Sequence, residues 1–74
     1  MFLQVNSRLK NILDERGLSI RKVAADTGLQ FESVRRLYNN DTERFPREIL
    51  AKLCEYLGVG ISDLLILENG DRQD

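Results

Sequence analysis

The segment Gln30-Phe31-Glu32-Ser33-Val34-Arg35-Arg36 gathers two guanidinium groups, a carboxylate, a side-chain amide and an aromatic ring. At about 3.6 residues per helical turn, Val34 and Leu37 take one side of a helix. Glu32, Arg35 and Arg36 take the opposite side, with Phe31 at its edge. This outward set suits recognition rather than catalysis. A guanidinium presents a planar fork of N–H donors that matches two acceptors on the edge of guanine. The Gln30 amide suits adenine, or a helix cap. Phe31 suits a thymine methyl group, and Glu32 can accept from cytosine or hold Arg36 at i, i+4. Plainer readings stand beside these. Phe31 reads equally well as partly core, and Glu32 with the arginines reads as a solvated helix pair.

Catalytic and metal chemistry finds little to work with. The chain has no His and a single Cys, Cys54. That excludes Cys/His zinc sites, a Ser-His triad and an intramolecular disulfide. Cys54 reads as a small buried hydrophobe. No cofactor and no enzymatic activity are expected.

The elements that must position Gln30–Arg36 follow from the apolar spacing. Asn6 or Ser7 caps a first helix carrying Leu9, Ile12 and Leu13 on one face, ended by Gly17. Ser19 caps a second, with Ile20, Val23, Ala24 and Thr27 inward. Gly28 and Leu29 make the corner. The third helix begins near Gln30 and runs to about Tyr38, and Asn39 to Thr42 is turn chemistry. Pro46 starts a fourth helix at its first turn, with Ile49, Leu50, Leu53 and Leu57 inward and Gly58 closing it. Ile61, Leu64 and Leu65 form a short fifth. The apolar start, Met1 to Val5, reads as a brief strand or an ordered arm. Residues 6–67 form the core of one domain, and 68–74 a flexible tail.

The chain has 74 residues, 42% hydrophobic and 31% charged, enough for one small globular domain. Its net charge is −1, with a pI near 5.4. The distribution is uneven: up to Arg47 there are nine Lys and Arg against six Asp and Glu, and from Glu48 onward two against six. A basic half holding the third helix, and an acidic half behind it, would orient the protein on a polyanion. No apolar run approaches membrane-spanning length, so no membrane partner is expected. The lone cysteine fits a reducing compartment, with the cytoplasm as default.

In order, Leu9–Leu13, Val23-Ala24, Gly28-Leu29, Val34 with Leu37, Leu53 to Gly58 and Asp63-Leu64-Leu65 resemble the lambda-repressor-like helix-turn-helix family of Cro/XRE type. The likeness spans roughly Leu9 to Leu65. It implies an all-α, five-helix domain, with short terminal strands as an addition. It implies a sequence-specific regulator of transcription in a prokaryotic or phage setting. Its third helix, about 30–38, would enter the major groove of double-stranded DNA. The DNA-binding set would be Gln30, Phe31, Glu32, Arg35, Arg36 and Asn39, with Arg21 and Arg44 on the backbone. The chain departs from the family pattern in two ways. Leu13 and Tyr38 stand where an Arg and a Glu often pair, an apolar replacement for an ion pair. Ile20 stands where a Gln often touches phosphate, so helix amides and neighbouring side chains must take that role.

Such domains usually act as dimers, so a homodimer is expected. The surfaces offered are Phe2, Leu3 and Val5 at one end and Leu65, Ile66 and Leu67 at the other. Equally, these residues pack on their own helices or pair as a small intramolecular sheet. A different class of function also remains: the same fold as a protein-interaction module, an antitoxin or small adaptor. The near-neutral charge, Glu32 in the reading face and Ile20 favour it.

Overall fold

Nine apolar side chains from five helices meet in one core: Leu9, Leu13, Val23, Ala24, Val34, Leu37, Leu53, Leu57 and Leu64. The computed structural model describes residues 3–42 and 44–69. The element order is β1 (Leu3–Ser7), α1 (Leu9–Arg16), α2 (Ile20–Thr27), α3 (Phe31–Tyr38), α4 (Arg47–Leu57), α5 (Ile61–Leu64) and β2 (Leu65–Asn69). Helices of eight residues are too short to persist alone in water, so their stability comes from the shared core. Each fully buried Leu or Val contributes about 1.5–3 kcal/mol of transfer free energy. Ile12, Leu18, Ile20, Leu29, Ile49, Leu50 and Cys54 pack around that centre, half-buried.

The helix-to-helix corner is built at Gly28. Its φ of +79° is left-handed, and its N–H closes α2 on the Ala24 carbonyl at 2.9 Å. A side chain would find open space there but a strained backbone. Ser19 caps α2, its Oγ accepting from the Lys22 amide at 3.0 Å. Thr27 is only half-buried, and its hydroxyl donates to the Val23 carbonyl at 2.7 Å.

Several boundaries differ from the sequence reading. Arg8, not Asn6 or Ser7, is the residue before α1, although the Ser7 Oγ accepts from the Leu9 amide at 3.2 Å. Pro46 is the residue before α4 rather than its first. Leu65 does not belong to α5: its backbone is extended, with φ −122° and ψ 148°, and it opens β2. Glu68 and Asn69, assigned to a tail, complete that strand; residues 70–74 lie outside the described ones. β2 forms because β1 supplies an antiparallel partner, with Val5 opposite Leu67 and Ser7 opposite Leu65. Strand pairing satisfies backbone groups that a frayed tail leaves to water.

The ribbon has two unlike faces. Alternation puts Leu3, Val5 and Leu67 on one, and Gln4, Asn6, Glu68 and Ile66 on the other. Leu3 is 63% exposed, Val5 44% and Leu67 60%, so the apolar face looks outward. The intramolecular sheet is therefore what these terminal apolar residues form. Phe2 lies outside the described residues.

Candidate nucleic-acid interface

α3 is amphipathic in the strict sense. Val34 is fully buried, Leu37 nearly so, and Phe31, Glu32 and Arg36 are exposed on the far side. α2 packs against α3 more extensively than any other two helices pack. That contact fixes the corner and turns the outer faces of both helices to one surface.

At the start of α3, Gln30 is exposed. Its backbone carbonyl accepts from the Ser33 and Val34 amides at 3.1 and 3.2 Å, but its side chain makes no capping bond. The amide of Gln30 is thereby left pointing to solvent rather than spent on the helix. Phe31 is 41% exposed and has no place in the core. The Arg21 guanidinium of α2 lies over its ring, 5.3 Å from the centroid. This cation–π contact brings together two of the proposed contact residues from different helices.

Glu32 faces both arginines. Arg35 grips it through two bonds, Nε to Oε1 at 3.1 Å and Nη2 to Oε2 at 2.5 Å. Arg36 reaches Oε2 at 3.5 Å. The hydrogen bonds from Arg35 hold the Glu32 carboxyl below its usual range, and Glu32 raises Arg35 in return. The expected i, i+4 pair of Glu32 with Arg36 is present but long, and the i, i+3 arginine makes the closer, bidentate contact. Arg35 is half-buried and Arg36 exposed.

At the other end Asn39 is exposed, and its amide donates to the Arg35 carbonyl at 2.9 Å. Arg44 sits across the loop. Its amide donates to Thr42 Oγ1 at 3.3 Å, and that hydroxyl donates to the Arg44 carbonyl at 2.7 Å. Arg36 and Arg44 line one open cavity with Asp41 and Thr42. The fold thus groups Arg21 with Phe31, and Arg36 with Arg44, at the two ends of one surface.

Two structural devices escaped the sequence reading. Tyr38 packs, half-buried, against the core that holds Leu13, and it also makes polar contacts. Its hydroxyl donates to Asp14 of α1 at 2.7 Å, Lys10 bonds the same carboxylate at 2.8 Å, and the Lys10 ammonium lies 5.4 Å from the Tyr38 ring centroid. The pattern repeats between α2 and α4. Tyr56 donates to Asp26 at 2.6 Å and Lys22 reaches it at 2.9 Å. Lys10 and then Tyr38 hold Asp14 below the usual carboxylate value, while Tyr56 and then Lys22 do so for Asp26. Both phenols are raised by the carboxylates that they bond. The repeated Lys-x-x-x-Asp spacing was the available signal. The tyrosine that completes each clasp is remote in sequence.

The second device is Asn40, read only as turn chemistry. It is the one non-glycine residue with positive φ among the described residues, at +55°. It closes α3 and reaches the ribbon.

A family model for the Cro/C1-type helix-turn-helix DNA-binding domain matches residues 8–70. Among solved structures, one described as a "putative DNA-binding protein from Bacteroides fragilis" superposes with a TM-score of 0.73. It is 24% identical, over 85% of this chain and 100% of that one, a likeness of fold. No curated protein sequence matches.

Proposed function

The chain belongs to the Cro/C1-type helix-turn-helix DNA-binding family, and on that premise we propose that it regulates transcription by reading a specific duplex sequence with α3. One observation carries the reading. The helix after the Gly28 corner buries its aliphatic side in the core and turns Gln30, Phe31, Glu32 and Arg36 to solvent, with Arg35 beside them.

Each group then has a task. Arg36 or Arg35 donates to the two acceptors of a guanine, Gln30 reads adenine, and Phe31 packs on a thymine methyl. Arg21, Arg44, Asn39 and the amides of Ile20 and Arg21, which have no intrahelical partner at a helix start, hold phosphates and set the register. Glu32 prevents Arg35 and Arg36 from acting as indiscriminate phosphate ligands. Its exposed pairs with them are weak and salt-screened, so a guanine edge can exchange for them. The protein acts by binding and not by catalysis, inside the cell, as a homodimer on repeated half-sites. The outer face of the ribbon is uncharged from Leu3 through Val5 to Leu67, so two copies meet there without repulsion; the opposite face carries Glu68.

Glu32 is also the observation on the side of a protein-interaction module, because it neutralises part of the reading face. Selection from a random duplex pool at low salt separates the two readings. A regulator retains DNA enriched in a repeated half-site. Retention without enrichment means charge contact alone, and no retention favours a protein partner. Reversing both charges, Arg35→Glu with Arg36→Glu, is expected to leave the helical circular dichroism intact and abolish retention. Retained, sequence-selective binding by that double variant would remove α3 from the role of reader.

A further inference from the structure

The end of α3 is tied to the ribbon by a directed chain of hydrogen bonds. Asn40 first terminates the helix. Its amide donates to the Leu37 carbonyl at 3.1 Å and the Asp41 amide donates to the Arg36 carbonyl at 2.8 Å, a paired closure that needs a left-handed residue at Asn40. Asparagine tolerates that backbone better than other non-glycine residues, and unlike glycine it still has a side chain to use.

That side chain spans to β1. Asn40 Oδ1 accepts from the Ser7 amide at 2.8 Å, and Asn40 Nδ2 donates to Asn6 Oδ1 at 3.0 Å. Gln4 Nε2 donates to the same oxygen at 2.9 Å, and Asn6 Nδ2 donates to Glu68 Oε1 on β2 at 2.6 Å. Every amide in this chain has only one workable orientation. A backbone N–H at one end can only donate, and a carboxylate at the other can only accept, so Asn40 and Asn6 must both point the same way. Both strands are thereby fixed to the last turn of α3.

We propose that Asn40 is a positioning residue that holds the ribbon at one angle to the recognition helix, and so sets the half-site spacing that a dimer reads. The spacing part rests on the reading of the protein as a dimeric DNA-binding regulator. The angular part does not. The ribbon is joined to the helices by short chain connections at its base, through Arg8, whose amide donates to the Leu64 carbonyl at 2.7 Å, and through the α5–β2 junction. The Asn40 chain is a third attachment: it grips Ser7 and Asn6 beside that base but from α3, and Asn6 carries it on to Glu68, so the ribbon is braced from a second direction against swinging about its base.

The test uses Asn40→Gly, which keeps the left-handed backbone and loses both side-chain bonds. Asn6→Ala removes the Asn40–Asn6 and Asn6–Glu68 bonds without touching the helix end, leaves the Ser7 amide on Asn40 Oδ1, and serves, with a smaller expected effect, should the glycine variant not fold. Residual dipolar couplings of backbone amides in the DNA-free protein report the relative orientation of the ribbon and α3. One alignment tensor should fit both elements in the wild type. In the variants the ribbon amides should need a tensor of their own, with couplings reduced about twofold. A single tensor in the variants overturns the proposal. The random-duplex selection then addresses spacing. Variants should enrich the same half-site bases at scattered separations, whereas an unchanged separation overturns the spacing claim. If the wild type retains no DNA, the regulator reading and its spacing claim fall together, while the dipolar couplings still decide the angular one.

Discussion

The two ends of α3 are held in opposite ways. At the start, Gln30 spends no side-chain bond on capping, and Phe31 stands out from the core with only the Arg21 guanidinium over it. At the finish, Leu37 is buried, Tyr38 bonds α1, Asn40 closes the helix and bonds β1, and Asp41 returns to Arg36. A helix that reads a groove contacts bases mainly through its first turns. At that end Gln30 and Phe31 keep their side chains free of the core, Glu32 is held only by the exposed Arg35 and Arg36 pairs, and the ties to the rest of the fold come from the other end. The contrast shows where the chain invests order and where it keeps chemistry available.

Substitutions at the two ends should therefore give different phenotypes. The largest stability effect is expected from Leu37→Ala. Removing that buried side chain should cost about 2–5 kcal/mol, measured by urea unfolding. A cost below about 1 kcal/mol would mean that the held end is not held by its core residue. Tyr38→Phe should lower the melting temperature by less, since it removes one exposed bond and leaves the ring over Lys10.

The pH dependence of that second variant sharpens the point. Asp14 is held below its ordinary 3.8, so its contribution is present above that value and fades as pH falls through the lowered one. Tyr38 is raised above its ordinary 10.0, so its contribution is present below 10.0 and fades as pH rises through the raised one. The melting-temperature gap between wild type and Tyr38→Phe should be flat from about pH 5 to 9 and close at both extremes. A gap that stays open at high pH would contradict the Tyr38–Asp14 bond. The Tyr38→Phe variant should itself keep some alkaline sensitivity, because Tyr56 and Asp26 form a second clasp of the same kind.

The smallest stability effect is expected at the open end. Phe31→Ala should change unfolding by no more than about 0.5 kcal/mol, as at other surface sites. It should nonetheless weaken DNA retention and relax selection at one base pair. A large loss of stability would restore the view of Phe31 as a core residue.

What the sequence made legible follows the range of the interactions. Val23, Ala24, Val34 and Leu37 are readable because a helical period is a local signal, and all four are buried. Gly28 is readable because only a left-handed residue ends α2 so sharply. β2 was missed beyond its apolar stretch because its partner, β1, lies at the opposite end of the chain, and pairing leaves no local trace. Leu65 was carried into the fifth helix for the same reason. Tyr38 and Asn40 were misread because their partners, Asp14, Ser7 and Asn6, are brought near only by the tertiary fold. The outward set on α3 was visible as a pattern of types and spacing. Which arginine Glu32 would grip was not, since that depends on rotamers at i+3 and i+4 that both satisfy the sequence.

The brevity of α3 limits how much one copy can say. Eight residues rise about 12 Å, alongside roughly four base pairs at about 3.4 Å each. A word of four letters recurs by chance about every 256 base pairs, while genomes offer roughly a million or more competing positions. Two such words at a fixed separation recur about once in 65,000, and at an unfixed separation far more often. If two copies read together, as proposed, distance between words becomes part of the message, and the grammar that fixes it is written outside α3.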